Sequence, residues 1–192
     1  MKRTLLASVM SLLCANAYAA SPSWDFVQGG YVQADIEDAG DFEPKGFELR
    51  GFKSFGENFF LMGSYSSLSE DEMGVDVELD QASVGIGYHY GVTANTDFFA
   101  ALSYEYADVS VDAGFAEDDF DDNGYGVSAG VRSMVTKAIE LRGVIHYVNV
   151  EEDDTAFELG ADYFVTPKFA VGASYTIADD VDLFGISARY NF

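Results

Sequence analysis

Nine charged residues alternate along the chain with glycine, serine, aliphatic or aromatic neighbours: Glu48, Arg50, Glu105, Arg132, Glu140, Arg142, Glu158, Asp162 and Arg189. Arginines interleaved with carboxylates can form charge-assisted hydrogen bonds. His89 and His146 are the chain's two histidines, the side chains whose ordinary pKa suits proton transfer near neutrality. Hydrolysis would need one of them in an Asp–His dyad, or in a Ser–His pair able to deacylate a lipid. His146 lies between Val144 and Val148 on its own face, with no serine at catalytic spacing. His89 sits beside a short turn, away from the rim where such a site would open. No catalytic residue is assigned, and no enzyme is expected.

Acidic stretches raise the question of metals. Glu117 through Asn123 and the run Glu151, Glu152, Asp153, Asp154 are dense in the hard oxygen ligands that suit Ca²⁺ and Mg²⁺. Neither run has the spacing of a defined calcium loop. The expectation is no cofactor and no defined metal site. Loosely bound Ca²⁺ or Mg²⁺ is allowed around Asp118, Asp119, Asp121, Asp122, Glu151, Glu152, Asp153 and Asp154.

The elements that position these groups read as strands, because apolar and small residues alternate strictly. Val84, Ile86, Tyr88 and Tyr90 share one face, with Ser83, Gly85, Gly87 and His89 on the other. Segments around Val127, Val171 and Ile186 repeat the pattern. Ten strands are predicted, at 24–35, 46–55, 58–68, 79–91, 97–109, 124–134, 138–150, 156–165, 168–178 and 183–192. The first is blurred by Gly29 and Gly30, which would suit a bulge. Short turns alternate with acidic connections. Three turns share a Val-Thr step, at Val92-Thr93, Val135-Thr136 and Val165-Thr166. The connections 35–43, 70–80, 108–122, 151–154 and 179–182 hold 25 of the 33 acidic residues and no Lys or Arg.

Register then pairs the charges. A β6–β7 turn centred on Thr136 sets Arg132 opposite Glu140. A loop centred near Glu152 sets Arg142 opposite Asp162 and His146 opposite Glu158. The same register puts Ile145 against Leu159 and Leu141 against Tyr163 on the other face, as a pleat requires. These pairs either fill an interior and lock the register, or form a charged constriction in a narrow pore.

Lys2, Arg3 and the apolar run Leu5–Ala15 open the chain, followed by Ala17-Tyr18-Ala19, a small-x-small cleavage signal. Residues 1–19 are read as a secretory signal peptide and 20–192 as one domain. Cleavage after Ala19 (marked by Ala17 and Ala19) removes Cys14, the one cysteine, and leaves 8 basic residues against 33 acidic, a net charge of −25. Such a polyanion will not seek nucleic acid. Hydrophobic content of 48% and aromatic content of 15% exclude an acidic disordered chain.

A soluble barrel would turn its aromatic stripes inward and its charges outward. Here the face opposite the stripes carries nine charges, which are costly in a soluble core and ordinary inside a transmembrane barrel. A closed barrel also satisfies every backbone group in lipid. The fold is therefore expected to be all-β, a closed antiparallel up-and-down transmembrane barrel of ten strands, with eight as the alternative. Short periplasmic turns and long acidic extracellular connections set its orientation.

At motif level, Gln28-Gly29-Gly30-Tyr31-Val32-Gln33-Ala34-Asp35 resembles the first strand of OmpX-type barrels. The final strand, with Phe184, Ile186, Ala188, Tyr190 and Phe192, is similar to the C-terminal assembly signal of outer-membrane proteins. The resemblance covers the whole mature chain as architecture and these two ends as motif. It departs in strand count, since OmpX and OmpA barrels have eight. It implies export through the periplasm to the bacterial outer membrane, with outer-membrane lipid, lipopolysaccharide and the assembly machinery as partners. A monomer with a structural or surface-interaction role is expected, its extracellular ligand unspecified. A narrow cation-preferring channel is the alternative, and an outer-membrane enzyme comes third.

Overall fold

A computed structural model of the protein describes residues 20–36, 43–72, 75–112, 117–150, 152–179 and 181–192. Ten strands follow in order: β1 Phe26–Ile36, β2 Lys45–Phe55, β3 Phe59–Glu72, β4 Val75–Thr93, β5 Thr96–Asp112, β6 Glu117–Met134, β7 Ile139–Val150, β8 Glu152–Phe164, β9 Phe169–Ile177 and β10 Val181–Asn191. Each pairs antiparallel with its neighbours in sequence, and β1 closes on β10. The ten-strand, closed, all-β expectation is met. The signal segment 1–19, with its cleavage residues Ala17 and Ala19, lies outside the described residues.

Alternation produces the sidedness. Val84, Leu159, Ile186 and Phe184 are 62%, 64%, 52% and 50% exposed on the outer surface, whereas Glu140 is 0% and Arg189 2% exposed inside. An apolar exterior around a buried charged interior is stable where the outside is lipid.

Turn chemistry recurs as the sequence repeat implied. In each Val-Thr turn the threonine hydroxyl accepts a backbone N–H two residues on: Asn95 to Thr93 at 3.4 Å, Ala138 to Thr136 at 3.1 Å and Lys168 to Thr166 at 3.3 Å. This local bond holds the chain in a tight reversal without glycine. The β2–β3 turn instead uses Gly56 at φ +63°, a conformation costly for other residues.

Three expectations are corrected. Gly29 and Gly30 form no bulge: β1 pairs without interruption from Phe26 to Gln33 on one side and to Ile36 on the other. Among the described residues the ladder shifts only between Gly91 and Thr93. Much of the acidic sequence assigned to connections is strand, because β3–β4, β5–β6 and β7–β8 continue pairing to Glu72↔Val75, Asp112↔Glu117 and Val150↔Glu152. Asp80, Asp108 and Asp121 consequently lie in one row across three strands. Like charges so placed repel, but mildly in the water above a bilayer.

The predicted register also slips by two residues. Arg132 faces Arg142 rather than Glu140, and Met134 faces Glu140, because the β6–β7 loop is centred on Lys137 instead of Thr136. The β7–β8 pairing is shifted in the same way, so Arg142 faces Gly160, His146 faces Ala156, Ile145 faces Phe157 and Leu141 faces Ala161. A two-residue slip preserves parity, so every one of these side chains keeps its assigned face.

Candidate functional site in the barrel lumen

Two layers cross the interior. The first lies at the end bearing the short turns. The residues before β1 run across the lumen instead of away from it, and Trp24 enters a cage of rings. Its ring stacks on Phe60 at 4.4 Å and His89 at 4.8 Å, with Phe99 at 5.3 Å and Phe52 at 6.1 Å edge-on. Glycine makes the room. An added Cβ at Gly87 would stand 2.1 Å from the Phe60 ring, and one at Gly130 2.8 Å from Phe99. Trp24 Nε1 donates to Asp97 Oδ2 at 2.8 Å, and Ser21 Oγ donates to Asp97 Oδ1 at 2.8 Å. Asp97 is 1% exposed and also faces His89 Nδ1 at 3.4 Å. A buried carboxylate needs such donors. Arg132 closes the cage, its guanidinium 4.4 Å from the Trp24 ring centre and 5.0 Å from that of Phe26, a cation–π arrangement.

The second layer is a chain of eight alternating charges. Glu48 meets Arg50 at 2.7 Å, and Arg50 Nη1 meets Glu158 Oε2 at 2.7 Å. Arg142 then joins Glu158 at 2.6 Å to Asp162 at 2.7 Å. Arg189 continues from Asp162 at 3.9 Å to Glu140 at 3.2 Å, and Glu140 ends on Arg132 at 2.7 Å. Members come from β2, β6, β7, β8 and β10. The Arg50–Glu158 bond therefore spans the lumen instead of following one wall. Glu140, Glu158 and Asp162 are essentially fully buried. Such ions persist only when paired, because their desolvation is expensive.

Between the layers is a cavity of about 60 Å³, bordered by Trp24, Gln28, Ser128, Val144, His146 and Arg142 among others. Its size admits a water molecule or two and no larger solute. Nη1 of Arg132 and Oδ1 of Asp162 have no hydrogen-bond partner among the described residues.

Most sequence-assigned lumen residues are brought together, and the expected partners meet although the register differs. Arg132–Glu140 and Arg142–Asp162 form diagonally across the slipped register. His146 Nε2 lies 3.9 Å from Glu158 Oε2, a loose contact beside the two arginines that hold that carboxylate. Glu105 is a correction. Its bond is from Ser103 Oγ, and it makes no ion pair among the described residues. Its row neighbours on β4 and β6 are Ser83 and Gly124, so no cation is at hand. Sequence reasoning missed Trp24 and Asp97. The signal was present: Trp24 shares the parity of Phe26 and Gln28, and Asp97 that of Phe99.

Phe184, Ile186, Ala188, Tyr190 and Phe192 lie along the outer face of β10. The Phe192 N–H reaches Asp25 O at 3.2 Å, and its ring lies 5.1 Å from Lys53 Nζ. Asp25 itself accepts from Lys53 at 2.6 Å and from the Ser54 N–H at 3.1 Å. The Lys53 hydrogen bond holds its carboxyl below the usual range. No group of three or more His, Cys, Asp or Glu is arranged for a metal ion among the described residues. Of the diffuse candidates, Asp121, Asp122, Asp153 and Asp154 stand on the open ends of β6 and β8. The side chains of Asp118, Asp119, Glu151 and Glu152 lie outside the described residues.

Comparison with known proteins agrees with this architecture. The family model described as outer membrane protein beta-barrel domain matches residues 5–156. No curated protein matches the chain. Among solved structures, Ail, the attachment invasion locus protein of Yersinia pestis, aligns with a TM-score of 0.50 at 14% identity, over 87% of this chain and 97% of that one. The same protein in complex with the heparin analogue sucrose octasulfate aligns at 0.52 and 15%, with equal coverage. The NanC porin aligns at 0.51 and 11%, over 87% and 99%. At these identities the likeness is one of fold.

Proposed function

Because this chain belongs to the outer membrane protein β-barrel family, its place is the bacterial outer membrane, and we propose that it acts there as a closed barrel whose work is done at its surface. The carrying observation is the eight-charge chain from Glu48 to Arg132, which bridges opposite walls of the barrel. Ions crossing such a lumen would have to break paired, desolvated charges. Contact with the surroundings then falls to the acidic ends of the long strands. Those ends favour cationic groups, with Ca²⁺ or Mg²⁺ linking them loosely to lipopolysaccharide phosphates. A polyanion like the one bound to Ail would be repelled. The chain is exported on its signal segment, cleaved after Ala19, inserted by the assembly machinery and monomeric, and it performs no catalysis. Single-channel recording of refolded residues 20–192 tests the reading: silence is expected, and stable channels of large conductance refute it.

The narrow-pore reading rests on the charge map. With 25 carboxylates in the acidic connections and strand ends, any conductance should prefer K⁺ over Cl⁻. That preference should weaken as salt shortens the Debye length from ~10 Å at 0.1 M.

A further inference from the structure

We propose that Ala20–Asp25 form a strap that seals the turn end of the lumen from within and can leave its seat while the barrel stays closed, joining the internal cavity to the periplasmic side. The ladder begins at Phe26, so no strand pairing depends on the strap. Its attachments are the Trp24 ring in its cage, Trp24 and Ser21 on Asp97, the Ser23 carbonyl accepting from Arg189 Nη2 at 3.0 Å, Asp25 on Lys53 and Ser54, and the Asp25 carbonyl accepting from the Phe192 N–H at 3.2 Å. The seat belongs to the barrel, because Phe60 and Phe99 are set into the wall by Gly87 and Gly130. A vacated seat keeps working partners. His89 remains beside Asp97, and Arg132 remains bonded to Glu140. Trp24 is itself a wall of the cavity, so its withdrawal opens that space at the turn end while the charge chain still bars the other side.

The inference borrows from the closed-lumen reading only its unlabelled baseline. Residues 20–192 contain no cysteine and a single tryptophan, which supplies two probes. In refolded, vesicle-inserted protein, Trp24 fluorescence should resist quenching by acrylamide. Asp97→Asn should make it several-fold more accessible while the folded gel mobility is unchanged. A cysteine introduced as Ser128→Cys, inside the cavity, should react slowly with a small charged thiosulfonate. It should react several-fold faster when combined with Asp97→Asn or Trp24→Ala. The proposal is overturned if wild-type Trp24 is quenched as readily as in the unfolded chain, if Ser128→Cys reacts equally with and without those changes, or if both variants lose the folded mobility. Wild-type conductance would defeat the closed-lumen reading and leave the labelling ratio to judge the strap.

Discussion

Arg142 holds two buried carboxylates, so Arg142→Ala should be costly and unequal in its effects. Nε bonds Glu158 at 2.6 Å and Nη1 bonds Asp162 at 2.7 Å. Glu158 keeps Arg50 at 2.7 Å after the change, whereas Asp162 keeps only Arg189 at 3.9 Å. Breaking a buried pair by removing one partner costs ~3–5 kcal/mol. With one of the two acids still held, the loss should be about 3 kcal/mol, the lower end of that range. Asp162→Asn in the same background removes the stranded charge and should restore about 1–2 kcal/mol, a coupling typical of contacting pairs. Adding Glu158→Gln to Arg142→Ala should restore less. Equilibrium urea unfolding in lipid vesicles reads wild type, these three variants and Asp162→Asn alone, which closes the cycle. A loss below about 1 kcal/mol, or strict additivity in the Arg142–Asp162 cycle, would show that the lumen is hydrated and that the charge chain does not seal it.

Other outcomes follow from the same geometry. Ile145→Arg, on the outer face between Ala129 and Phe157, should cost ~2–4 kcal/mol in lipid, read by the same urea titration. Phe192→Ser, or deletion of Phe192, should lower the yield of heat-modifiable protein in outer-membrane fractions without changing its export. The Asp25–Lys53 bond should contribute under ~1 kcal/mol, as exposed pairs do. Its sign is set by a lowered folded pKa: the contribution is present above the unfolded value and is lost as pH falls through the folded one. Asp25→Asn should therefore differ from wild type at neutral pH and converge with it as pH falls through the lowered folded value, measured by unfolding across a descending pH series.

Strand number, order and the facing of almost every side chain were legible in the chain, because parity depends only on alternation and survives errors in length. Register was not. It turns on how many residues a loop spends, and the Thr136 turn closes one residue later than its threonine suggests. Arginine concealed the error, since a long side chain reaches a diagonal partner as easily as an opposite one. Carboxylate-rich segments were read as loops because polarity was taken for irregularity. The alternation was there all the same, in Val77 and Leu79 around Glu78 and in Val109 and Val111 around Ser110, but the density of acids outweighed it. Trp24 escaped because, although it continues the parity of Phe26 and Gln28, it precedes the ladder and no strand pairing ties it to the lumen, and Asp97 because a lone acid beside a short turn looks solvated.

The alternating chain of charges also bears on how sequences of this kind can diverge. Its four arginines and four carboxylates cancel, and every interior member answers to two neighbours. A single neutral replacement leaves one uncompensated ion in a desolvated space, whereas replacing two adjacent members restores neutrality. Substitutions inside the lumen should therefore be accepted in couples. Glu48 with Arg50, and Glu140 with Arg132, are the cheapest to lose because each couple includes an end of the chain. Related sequences should show those positions gained and lost together, while the lipid-facing positions beside them drift one residue at a time.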